Sequence, residues 1–79
     1  MKNTDELITL CHNIRALCRR HNISISDLSQ KTGIALDILE NAEKNVVSNG
    51  FTVDTLLDLC RFFHKTPASF FIDDFDVQA

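Results

Sequence analysis

The sequence predicts an all-α fold of five helices, and three observations carry that reading. Apolar residues recur at three- and four-residue intervals along most of the chain. Only two Gly and one Pro interrupt the 79 residues, so helices joined by brief loops are favoured over a many-stranded sheet. Residues suited to capping helix starts, Ser24, Thr52 and Thr66, stand just ahead of three of the apolar runs.

The first helix is expected from about Asp5 to His21, where Leu7, Leu10, Cys11, Ile14, Leu17 and Cys18 form one stripe. Asn3 or Thr4 can cap it. Asp5 and Glu6 suit its positive end, and Arg15, Arg19, Arg20 and His21 load its later turns with charge that suits the negative end. Asn22-Ile23 breaks the pattern. Ser24 then precedes Asp27 by three residues, a capping-box-like pair opening a short second helix. Its inward residues are Ile25 or Leu28 with Ser29, and Gly33 stands where a left-handed residue ends a helix.

A short third helix is expected over roughly Leu36 to Lys44, with Leu39 and Ala42 turned inward. Asn45 to Phe51 reads as a loop, marked by the turn-forming pair Asn49-Gly50. Thr52 caps a fourth helix whose inward set is Val53, Leu56, Leu57, Cys60 and Phe63. Thr66-Pro67, a cap followed by proline at the first helical position, opens a fifth, with Phe70 and Phe71 on its buried face.

Size and charge narrow the function classes. A chain of 79 residues needs nearly all its apolar side chains for one core, which leaves little for a large enzyme cleft. The net charge of −3 comes from Asp73, Asp74 and Asp76, because residues 1–72 hold eight acids and eight bases. The expected organisation is therefore one domain over 1–72 and a short acidic, solvated tail over 73–79. No apolar run is long enough for a signal or a membrane helix, so a cytoplasmic protein is expected.

Two short helices joined across Thr32-Gly33-Ile34, between longer amphipathic ones, match a helix-turn-helix unit. The order of parts adds to this: Ile14-Arg15-Ala16-Leu17, Ile23-Ser24, Leu28-Ser29-Gln30-Lys31-Thr32-Gly33-Ile34, Leu39, Glu43, Asp54-Thr55-Leu56-Leu57, and Thr66-Pro67-Ala68-Ser69-Phe70-Phe71. This series resembles the Xre-type, lambda-repressor-like helix-turn-helix family from about Leu10 to Phe71. The resemblance implies a compact five-helix domain acting in bacterial or phage transcriptional regulation, usually as a homodimer on a palindromic operator in double-stranded DNA. It puts the third helix in the major groove, with Ala35, Leu36, Asp37, Glu40 and Asn41 facing DNA. Ser24, Ile25, Lys31, Lys44 and the loop near Asn45 then face phosphates.

The chain departs from the family's pattern on that same surface. Ile25 stands where the family commonly has a Gln, and an isoleucine donates no hydrogen bond. Leu36, Asp37 and Glu40 occupy positions usually taken by Arg, Ser or Thr. Over residues 35–45, Asp37, Glu40 and Glu43 against Lys44 leave a local charge of −2, unfavourable where affinity rests on counterion release. Cys18 replaces an Arg that often pairs with the glutamate matched by Glu43, leaving Arg15, Arg19, Lys44 or solvent as its partner. Ala35 lacks the usual capping hydroxyl, a loss of ~1 kcal/mol.

Two explanations therefore stand. In one, the domain still reads DNA, through Asn41, Leu36 against a thymine methyl and Glu40 toward cytosine amino groups. In the other, the fold serves a protein partner through an apolar patch of Ile25, Leu36 and Ile38. The basic residues Arg15, Arg19, Arg20 and His21 form either a solvated helix end or a patch for phosphate or an acidic partner.

Other constellations carry less. Cys11, Cys18 and Cys60 with His12, His21 and His64 lack the close pairing of zinc ligands and read as core thiols, with a redox pair of Cys18 and Cys60 as the alternative. No nucleophile-elbow, P-loop or metal-hydrolase spacing occurs, so no enzyme, cofactor or small-molecule substrate is expected. Phe75 lies beyond the last expected helix. It either folds back or enters a partner, in which case Phe62 and Phe75 would belong to a dimer interface.

Overall fold

A computed structural model describes residues 4–75. Five helices follow one another: α1 Thr4–Arg20, α2 Ile25–Thr32, α3 Leu36–Glu43, α4 Val53–Phe63 and α5 Pro67–Ile72. Among the described residues there is no strand. Of the two expected caps of α1, Thr4 is the helix's first residue, while Asn3 and the tail residue Asp76 lie outside what the structure describes.

Local chemistry sets the helix ends. Ser24 and Thr66 accept hydrogen bonds from the backbone N–H groups of Asp27 and Ser69. Thr52 and Thr55 close a reciprocal capping box at the start of α4. Three non-glycine residues follow helices in the left-handed region: Asn22 after α1, Asn45 after α3 and His64 at the end of α4. The two asparagines are residues that tolerate this conformation. Lys44 ends α3 as its C-cap and does not extend the helix.

The long α1 packs against α3 and α5, α2 packs against α3 and α4, and α4 meets α5. The core they enclose holds Leu10, Cys11, Ile14, Leu17 and Cys18 of α1, Leu28, Ile34, Leu39 and Ala42 of the central pair, and Leu59, Cys60, Phe63 and Phe70 behind them. The inward set of α4 differs from expectation. Thr55, Leu59, Cys60 and Phe63 are buried, Leu56 and Leu57 are half-buried, and Val53 is 71% exposed. Apolar residues occupy so many positions between 53 and 63 that their pattern leaves the phase of the helix open. The capping box at Thr55 and the packing against α2 and α5 select it.

The segment after α5 is the second departure. Phe75 is 1% exposed and packs edge-on against Phe70, with ring centroids 5.5 Å apart. Of the two courses open to it, it folds back. The fully buried Asn13 secures this return. Its Nδ2 donates to the carbonyls of Phe70 and Asp73, both at 2.8 Å, and its Oδ1 accepts from the Phe75 N–H at 3.0 Å. Arg20 donates to the Phe75 carbonyl at 3.1 Å, His12 pairs with Asp74 at 2.9 Å, and the Lys65 ammonium lies 4.9 Å from the centre of the Phe75 ring.

The three cysteines are buried and free. Among the described residues no group of three His, Cys, Asp or Glu is placed to hold a metal ion, and no helix is long and apolar enough to cross a membrane.

Candidate nucleic-acid interface

The α2–α3 corner is held by backbone conformation and two hydroxyls. Gly33 turns the chain at φ +81°, where a side chain would be strained, and its N–H donates to the Ser29 carbonyl at 2.9 Å. The Ser29 hydroxyl donates to the Ile34 carbonyl at 2.6 Å, and the Thr32 hydroxyl donates to the Leu28 carbonyl at 2.7 Å. The Ile34 N–H donates to Thr32 Oγ1 at 3.3 Å. Ile34 and Leu39 are then pinned in the core on either side of α3's first turn. The turn's polar groups are thus satisfied within the turn.

That face carries Ala35, Leu36, Asp37, Glu40, Glu43 and Lys44, all exposed, with Asn41 half-buried at its edge. Ala35 makes no side-chain cap bond. Leu36 is 41% exposed, and Val46, just beyond α3, is 47% exposed. Ile25 and Ile38, expected to join Leu36 in an apolar patch, instead pack partly against the core. Ile38 is also held from outside, because Gly50 sits so close that a Cβ there would lie 3.1 Å from Ile38 Cδ1.

Arg15 crosses from α1 to the far end of α3. Its Nη1 donates to Asn45 Oδ1 at 2.6 Å, to the Glu43 carbonyl at 3.3 Å and to the Ala42 carbonyl at 3.5 Å. A cation at a helix C-terminus meets the negative end of the dipole there, so Arg15 anchors α3 to α1 through the backbone. The sequence offered Arg15 as a partner for Glu43, and the structure gives it the Glu43 carbonyl. Nothing in the local pattern singles Arg15 out from Arg19 and Arg20, since the contact spans 27 to 30 residues.

Beside this anchor, an open groove runs between the end of α1 and the start of α2, lined by Arg15, Arg19, Ser24, Ile25, Asp27 and Glu43 among others. Ser24 and Ile25 thus stand together near α3's C-terminal end. Lys31 lines a different recess, with Thr32, Asp58, Arg61 and Phe62. Of the basic cluster on α1, Arg15 and Arg20 bind backbone carbonyls of their own chain, and the exposed His21 ring sits 5.1 Å from that of Phe63.

Cys18 borders the same groove. Burial pushes its thiol up to about 11, and the charge of Glu43 adds to the rise. Burial also raises Cys11, against the pull of Arg15, and Cys60, against that of Arg61. Thiols held protonated in this way are poor nucleophiles and poor redox partners.

Comparison with protein families agrees with this geometry. The family of the Cro/C1-type HTH DNA-binding domain matches residues 13–76. Comparisons with curated proteins and with solved structures find no match. The match begins at Asn13, the clasp of the C-terminal return, and runs past Phe75, the residue clasped, so it takes in all of the α2–α3 corner and the core around it. An all-helical core with its second and third helices braced across a left-handed glycine, matched over this span, makes the chain a member of the Cro/C1-type HTH DNA-binding domain family.

Proposed function

We propose that the domain is a sequence-specific transcriptional regulator that binds double-stranded DNA as a homodimer in the cytoplasm, with α3 in the major groove. The observation that carries this reading is the braced α2–Gly33–α3 corner, which presents α3 outward on satisfied, rigid supports. Ala35, Leu36, Asp37, Glu40 and Asn41 are the proposed base-facing residues. Ser24, Ile25, Lys31 and Lys44 are the proposed phosphate-facing residues, and Arg19 lines the groove with Ser24 and Ile25.

The deciding measurement is affinity for random-sequence duplex DNA as a function of salt. With so few exposed cations near α3, log affinity should fall against log salt with a slope of about −2 to −4, at roughly −0.9 per phosphate contact. A flat dependence, with no sequence enriched on selection, would sink the proposal.

The charge of α3 favours a second reading. Asp37, Glu40 and Glu43 line its exposed side beside the apolar Leu36, with Lys44 only at its end. Such a face suits a helix-turn-helix-derived protein-interaction module, a regulatory or antitoxin-like partner with little DNA affinity. The same salt titration separates the two readings.

A further inference from the structure

The side chains offered by α3 are an unusual set for reading DNA, and they constrain what can be read. Between Ala35 and Glu43 the exposed groups are two methyl-bearing side chains, Ala35 and Leu36, and three carboxylates, Asp37, Glu40 and Glu43. No Lys or Arg lies in that stretch. Arg15, reaching over from α1, is bound to the carbonyls of Ala42 and Glu43 and to Asn45. Recognition of a guanine edge in the major groove uses an Arg or Lys donating to O6 and N7, and this stretch supplies neither.

The first residues of a groove-bound helix are the ones that meet base edges. Here the first two, Ala35 and Leu36, are apolar, and the carboxylate of Asp37 follows them. Leu36 opens α3 and keeps 41% of its surface exposed, while its neighbours Ile38 and Leu39 are committed to the core. Ala35 beside it is exposed and makes no cap bond. Val46, the other exposed apolar residue of this region, lies past the opposite end of the helix. The one feature of a major-groove edge that an apolar side chain can distinguish is the thymine C5-methyl group.

From this we infer that Leu36 is a specificity-determining residue that reads a thymine methyl group, with Ala35 widening the same apolar contact. The inference rests on the DNA-binding role proposed above and names what that site prefers: a thymine under the start of α3 in each half-site. Leu36 is free to take this role because, unlike Ile38 and Leu39, it keeps a large part of its side chain exposed.

The experiment begins with selection from a random duplex library. The enriched duplex is then resynthesised with deoxyuridine at each thymidine in turn, which removes one methyl group and leaves the hydrogen-bonding edge unchanged. Affinities are measured for the intact chain and for Leu36→Met, Leu36→Ala and Leu36→Gln. A single deoxyuridine at the contacted thymidine should weaken the intact chain and Leu36→Met about fourfold, the effect of losing one buried methyl group, and one in each half-site about fifteenfold. Leu36→Ala should lose that penalty. Leu36→Gln, a good helix former with a polar tip, decides the same point should Leu36→Ala fail to fold.

Salt-dependent binding to an enriched sequence without any deoxyuridine effect, or with the same penalty in Leu36→Ala and Leu36→Gln, overturns the inference and leaves the DNA reading standing. Salt-dependent binding with no enriched sequence overturns the inference together with the sequence specificity proposed above. Absence of salt-dependent binding to any duplex overturns both.

Discussion

Asn13 shows how one side chain can do what a segment of sequence cannot. It lies in the middle of α1, 0% exposed, among residues that otherwise follow the apolar stripe. A buried amide is costly unless its donors and acceptor are satisfied. Here both are, by the backbone of residues 70, 73 and 75. Replacing it by alanine leaves two carbonyls and one N–H without their partner and frees the segment that carries Phe75. Asn13→Ala should therefore cost about 3 kcal/mol, read as a lower urea midpoint in equilibrium unfolding. A loss below about 1 kcal/mol would mean that water replaces the amide without difficulty. Gly33 is the opposite case. A Cβ there would meet nothing within 4 Å, so backbone conformation alone demands the glycine.

At the scale of elements, α3 is the least self-sufficient helix on the proposed binding surface. It has eight residues, no side-chain cap at Ala35 and no basic residue in its last turn. Isolated helices of that length are unstable in water, so α3 exists because its neighbours hold it. Leu39 and Ala42 bury one side, the Gly33 turn fixes its start, and Arg15 binds the carbonyls at its end. Supplying the missing cap should add to this support. Ala35→Ser is expected to raise stability by about 1 kcal/mol, seen as a higher urea midpoint with an unchanged m-value. Because Ala35 is exposed, the added hydroxyl costs no packing. An unchanged midpoint would place the first N–H groups of α3 already in good hydrogen bonds.

For the whole molecule, the telling groups are the buried thiols, which α1 and α4 bring into one core. The ordinary value of 9.0 rises to about 11 for Cys18, with burial as the main cause. Below pH 9 the thiol is protonated in both folded and unfolded chains, and folding is indifferent to pH on its account. Between about 9 and 11 the unfolded chain releases the proton while the folded one retains it, so stability falls as pH rises through that window. Cys11 and Cys60 shift in the same direction. Urea midpoints measured from pH 8 to 10.5 should decline for the intact chain and decline less steeply for Cys18→Ala, even though that variant starts from a lower stability. Parallel curves would show that other groups carry the alkaline loss.

Most of the fold is legible in the amino-acid order, because its signals are local. Apolar spacing locates α1 through α3, and Ser24, Thr52, Thr66-Pro67 and Gly33 mark helix ends through bonds that reach only a few residues along the chain. The same local logic makes the helix-turn-helix unit and the awkward charge of α3 readable from the residues alone. The phase of α4 is not readable, since apolar residues crowd both of its sides and only packing against α2 and α5 turns Leu59 inward and Val53 out. Neither is the return of Phe75, nor the anchoring of α3 by Arg15. Both depend on partners tens of residues distant, where a side chain's role is set by what the fold brings to it. The order of residues was enough to specify five helices, the caps at Ser24, Thr52 and Thr66, and the corner that presents α3. The tertiary structure alone decided which polar groups Asn13 and Arg15 satisfy, and that Leu36 stays exposed while Ile25 and Ile38 turn toward the core, because burial is settled between elements and not within them.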